Sequence, residues 1–123
     1  MEHLTEETFK EKILDYTIVN EENKNDIQYK NELPTILTFS APGWCVPCQT
    51  LHPVLEEISK EYKNKVNVYE VDVDQEPMLS MAFGIRSVPT IIFIPMNEQP
   101  QMATGFLPKD TIKQTIKDLL KVD

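Results

Sequence analysis

Three short runs rich in β-branched and apolar residues, Thr35 to Ser40, Val66 to Val73 and Thr90 to Ile94, alternate with segments of helical period and limit what this chain can fold into. Thr90 to Ile94 reads Thr-Ile-Ile-Phe-Ile, the strongest strand signal in the chain. In the middle run, Val66, Val68, Val71 and Val73 put apolar groups on both sides of the strand, as in a sheet covered on both faces. From Cys45 the pattern turns helical, with Leu51, Val54, Leu55, Ile58 and Tyr62 at spacings of three and four. Pro53 falls inside that helix, lacks the N–H that would bond back to Gln49, and should kink the axis. Pro77 to Phe83 reads as a short helix, Gln101 to Thr104 as the hairpin partner of the third run, and Ile112, Ile116, Leu119 and Leu120 as an amphipathic helix from about Lys109. At the start, Thr5 caps a first helix that Leu4 and Phe9 staple and that ends near Tyr16. Asn20 to Glu32 is a polar loop with only Ile27 and Tyr29 to anchor it. This order predicts an α/β fold of three layers, α/β/α, around a mixed sheet with a parallel core and an antiparallel edge hairpin.

A chain of 123 residues fits one domain, 1–123, with an N-terminal helix and polar loop over 1–33 and a core over 34–123. It can bury a core without a staple. Twelve basic against 20 acidic residues give a net charge of -8, which repels phosphate backbones and anionic membrane surfaces and argues against nucleic acid as a partner. No apolar run approaches the roughly 20 residues of a membrane span, and Met-Glu-His-Leu-Thr lacks the basic-then-apolar order of a leader. The expectation is a cytoplasmic monomer, the alternative a periplasmic protein whose leader precedes this numbering. Three glycines are too few and too scattered for a dinucleotide or phosphate loop.

Both cysteines lie in Gly43-Trp44-Cys45-Val46-Pro47-Cys48, where a buried strand gives way to a helix. Two sulfurs one turn apart share a helix face and can bridge. Cys45 sits at the terminus, where unpaired N–H groups and the helix dipole favour an anion, and a thiolate is that anion. Lowering a thiol from about 8.5 to about 7 raises its thiolate fraction at neutral pH from roughly 3% to about half. The weaker nucleophilicity of the more acidic thiol leaves a net gain in attack of only about threefold, so its quality as a leaving group matters as much. Three uses compete for the pair. A metal centre wants four ligands, and the chain offers Cys45, Cys48, at most His52, and a His3 far off in sequence, so a cluster would have to be shared between chains. A structural disulfide across two residues constrains little of the unfolded chain. Redox exchange carries most of the weight. His52 by itself reads as an exposed polar side chain.

The sequence resembles the thioredoxin family from about Pro34 to its end. Trp44-Cys45-Val46-Pro47-Cys48 is similar to that family's Trp-Cys-Gly-Pro-Cys, and Pro53 to its helix-kinking proline. Asp72-Val73-Asp74 looks like its acidic turn, Ile85 to Thr90 like the segment carrying its cis-proline, and Gly105 like a glycine lining its substrate groove. The resemblance implies the thioredoxin fold and a protein-disulfide reductase in which Cys45 attacks a target disulfide and Cys48 resolves the mixed disulfide. It also implies a cis Val88–Pro89 bond, a substrate surface made of Trp44, Val88, Pro89 and Gly105, and a loop stiffened by Pro47. No metal or organic cofactor is implied beyond the Cys45–Cys48 disulfide. The partners are disulfide-containing target proteins and a thioredoxin-reductase-like or membrane electron donor. A thiol oxidase or isomerase of the same fold, and a non-catalytic binding module, are the alternatives.

The chain departs from the family in three places. Where the family has a buried aspartate beneath the cysteines, matching through Phe39 and Ala41 places Thr38 and makes Gly43 an insertion, whereas a gapless register places Phe39. No carboxylate results either way. Glu70, on the next strand, is the expected substitute for handling the Cys48 proton, against the plainer reading of an exposed strand-end acid. Val46 replaces a glycine and adds bulk beside the reactive sulfur.

Overall fold

The computed structural model describes residues 1–20, 22 and 28–123, and contains five strands and four α-helices. In chain order these are β1 (Glu2–His3), α1 (Glu6–Lys12), β2 (Thr35–Ser40), α2 (Val46–Glu61), β3 (Asn67–Asp72), α3 (Pro77–Ala82), β4 (Thr90–Ile94), β5 (Gln101–Thr104) and α4 (Lys109–Leu119). The strands form one sheet in the order β1-β3-β2-β4-β5. β3 runs parallel to β1 and β2, while β4 is antiparallel to β2 and β5 antiparallel to β4. The mixed sheet and its edge hairpin are as expected from the sequence. The antiparallel part begins one strand further in, between β2 and β4.

Every residue of β2 and of β4 is buried, because helices cover both faces of the sheet. On one side Ile36, Val68, Ile91 and Phe93 pack under Leu51, Leu55 and Ile58 of α2 and Ile112 and Ile116 of α4. On the other, Leu37, Phe39, Val71, Ile92 and Ile94 pack against Phe9 of α1 and Leu79 of α3. The alternation of a strand sends neighbours to opposite faces, so Thr38 and Glu70, paired in register, both face α2. That side resolves the register at the strand end: Phe39 belongs to the opposite core, 5.8 Å from the Phe83 ring, and Thr38 occupies the position beneath α2. Pro53 is accommodated within the 16 residues of α2.

The N-terminal segment differs most from expectation. Glu2 and His3 add an edge strand beside β3, a two-residue pairing with no periodic signal, and the N–H of Leu4 extends it to the Glu70 carbonyl at 2.8 Å. Thr5 caps α1 as expected, with Thr8 completing a capping box. The helix stops at Lys12 instead of Tyr16, because Ile13 and Leu14 turn into the core and Asp15 accepts from the Thr17 N–H to start a 3-10 turn over Tyr16–Ile18. The strand expected over 66–73 is trimmed to Asn67–Asp72, and the helix expected to reach Phe83 ends at Ala82 with Phe83 as its cap. Tyr29 packs on the same core, while Ile27, its expected companion, lies outside the described residues.

Tyr16 bridges two parts of this segment. Its hydroxyl donates to Glu6 Oε1 at 2.6 Å, and burial followed by that hydrogen bond pushes the phenol up to about 12. A phenol that holds its proton more tightly in the fold contributes stability below pH 10, and the contribution is lost as pH rises from 10 through about 12. Urea midpoints measured from pH 8 to 12 should therefore fall less steeply for Tyr16→Phe than for the parent.

Candidate active site

The turn after β2 delivers the cysteines. Cys45 is the N-cap of α2, with extended backbone, and its own N–H donates to the Ala41 carbonyl at 2.9 Å. The Cys48 N–H points at Cys45 Sγ from 3.2 Å, so a sulfur fills the capping role that a serine or aspartate oxygen ordinarily takes. Val46 and Pro47 form the first turn, and Pro47 gives up an N–H that has no helical partner there anyway. Cys45 and Cys48 are joined in a disulfide with Cα atoms 5.2 Å apart. The bridge lies in a small apolar nest of Ala41, Val73 and Val88, with 4% of Cys45 and 2% of Cys48 exposed.

The residues expected around the pair do gather there. Trp44 is not a core aromatic: it is 64% exposed, and its Nε1 donates to Asp74 Oδ2 at 2.9 Å, which pins the ring beside the turn after β3. Val46 is exposed on the other flank. The Val88–Pro89 bond is cis, and the Val88 carbonyl oxygen is 3.6 Å from Cys45 Sγ. Gly105 has φ +89, a conformation that residues with a Cβ rarely adopt, and its N–H donates to the Pro89 carbonyl at 2.8 Å. A groove of about 360 Å³ opens next to the disulfide, between Trp44 and Val88, and runs past Val73, Ile85 and Arg86.

Beneath α2 the structure adds what the sequence left open. Glu70 is 2% exposed, not a solvated strand-end acid. Its Oε2 lies 3.0 Å from His52 Nδ1, its Oε1 is 4.0 Å from His3 Nδ1, and Oε1 has no hydrogen-bond partner among the described residues. The hydroxyl of Thr38, its register partner on β2, is likewise buried without one. His52 is therefore not a free surface side chain but half-buried, bound to the only carboxylate under the helix among the described residues. The spacing of Cys48 and His52, one turn apart on α2, was the available signal; His3 arrives through β1, which sequence reasoning did not see. Among the described residues no group of three His, Cys, Asp or Glu side chains has metal-holding geometry.

A bridged cysteine pair at the N-terminus of a long helix, seated on a mixed sheet between two helical layers, defines a dithiol–disulfide exchange protein. Comparison with known proteins agrees. The Thioredoxin family model matches residues 1–118. The chain is 41% identical over 115 residues to a thioredoxin of Borreliella burgdorferi, covering 94% of this chain and 93% of that one. It is 32% identical over 114 residues to thioredoxin 1 of Nostoc sp., covering 93% and 92%. Its structure superimposes on that of chloroplastic thioredoxin z with a TM-score of 0.80 at 27% identity, covering 99% and 96% of the two chains. The chain belongs to the thioredoxin family and is a disulfide oxidoreductase.

Proposed function

We propose that this chain works as a reductant of disulfides in other proteins. Cys45, as thiolate, attacks one sulfur of a target disulfide; the target's sulfur–sulfur bond breaks and a mixed disulfide with Cys45 forms. Cys48 then attacks Cys45 Sγ, the target leaves as its second thiolate, and the Cys45–Cys48 bridge remains. The observation that carries this reading is the capping geometry: the Cys48 N–H and the N-terminus of a 16-residue helix both point at Cys45 Sγ, where they favour its negative charge.

The target segment lies along Trp44, Val88, Pro89 and Gly105, with Val46 and Pro47 shaping the near side. Val88, next to the sulfur and outside the sheet pairings, offers backbone groups to an extended segment, a mode that binds many sequences weakly. Glu70, buried beneath α2, takes the proton that Cys48 must lose before it attacks. The oxidised form is returned to the dithiol by a thioredoxin-reductase-like or membrane donor, and the net charge of -8 favours a basic docking face on that partner. The protein acts as a cytoplasmic monomer with no cofactor besides its own cysteines.

Equilibration with glutathione tests the direction. A reduction potential near about -270 mV supports the reductant; one between about -180 and -120 mV would make the chain an oxidase or isomerase instead. Failure to accelerate insulin reduction by dithiothreitol would leave only a binding module. For Glu70, Glu70→Gln should slow the resolving step and displace its pH profile, and an unmoved profile would give the proton to water.

A further inference from the structure

The two oxygens of the Glu70 carboxylate are not equivalent. Oε2 is held at 3.0 Å by His52 Nδ1, whereas Oε1, buried, has no hydrogen-bond partner among the described residues and lies 4.0 Å from His3 Nδ1. His52 and Cys48 stand on successive turns of the same row of α2, and the imidazole holds the carboxylate beneath that row. The far side of the imidazole is wet: its side chain is 41% exposed and its Nε2 lies 3.6 Å from Glu56 Oε1. Glu56 in turn is 3.4 Å from the amino group of Met1.

We propose that His52 is a positioning residue for the resolving step, clamping Glu70 by Oε2 so that Oε1 stays free to take the proton of Cys48. The inference rests on Glu70 being the proton acceptor. In the step, the Cys48 S–H bond breaks and the proton passes to Glu70 Oε1. The sulfur's electron pair forms the Cys48–Cys45 bond, and the Cys45–target bond breaks with its pair leaving on the target thiolate. No other oxidant or reductant enters. Among the described residues, the charged or titratable groups facing the pair are His3 from β1 and Glu56 from α2, with the Met1 amino group behind Glu56, and the register partner of Glu70 on β2 is Thr38, which carries no charge.

The test is stopped-flow resolution of a preformed mixed disulfide between Cys45 and a thionitrobenzoate leaving group, followed from pH 5.5 to 8.5 in the parent, His52→Leu, His52→Asn, Glu70→Gln and the double variant. His52→Leu should slow release about tenfold at neutral pH. His52→Asn, whose amide can donate to Glu70 Oε2 from the place of Nδ1, should recover most of the rate. The double variant should be no slower than Glu70→Gln alone. If Glu70→Gln slows resolution and His52→Leu leaves rate and profile unchanged, the clamp is wrong and the role of Glu70 stands. If Glu70→Gln has no effect, both fall. A change in urea midpoint for His52→Leu with an unmoved resolution rate would reduce His52 to a structural residue and overturn the proposal.

Discussion

Cys45→Ser is expected to lower insulin reduction by roughly 10³-fold or more, to the rate of dithiothreitol alone, since a serine hydroxyl at the same helix cap is neither a thiolate nor a sulfur that can exchange. Cys48→Ser should behave differently. It keeps the attacking sulfur and the helix end but loses the resolving one, so it should react once with a target disulfide and stop as a mixed disulfide that mass spectrometry detects. The pair of results separates attack from resolution. Equal trapping by both variants would mean that the inner sulfur, 2% exposed, is as reachable as Cys45 and that the capping geometry does not select the nucleophile.

Phe9→Ala carries the second large effect. Phe9 is fully buried, meets the Phe83 ring edge-on at 5.1 Å and the Tyr16 ring at 6.2 Å, and lies under the sheet with Leu37 and Phe39. Truncating such a ring costs about 3–5 kcal/mol, the lost transfer energy plus the cavity left behind. Against the roughly 5–15 kcal/mol that holds an ordinary domain together, the variant should lose about a fifth or more of its stability. A urea transition would show this as a lower midpoint at unchanged slope. A loss below about 1 kcal/mol would mean that α1 is detachable from the rest.

The sequence presents residues 1–33 as an extension to a core starting at Pro34. In the structure Leu4, Phe9, Ile13 and Leu14 supply much of one hydrophobic layer, and Glu2 and His3 supply the sheet edge. The staple and cap around Thr5 were readable because they are local. The edge strand was not, because two polar residues have no period and pair only when β3 is already in place.

What is local to the chain was decided by its residues in order: three apolar runs make a sheet buried on both faces, helical spacing after Cys45 makes a long helix, and two intervening residues put both sulfurs on its first turn. These follow from backbone period and short-range sterics, which need no partner from elsewhere. Only the folded sheet could bring His3, His52 and Glu70 together from three separate elements, set Thr38 rather than Phe39 beneath α2, and bury a carboxylate whose sequence neighbours look solvent-facing. Burial and pairing of charge depend on which faces meet across the sheet, and that is a property of the packed layers and not of any one segment.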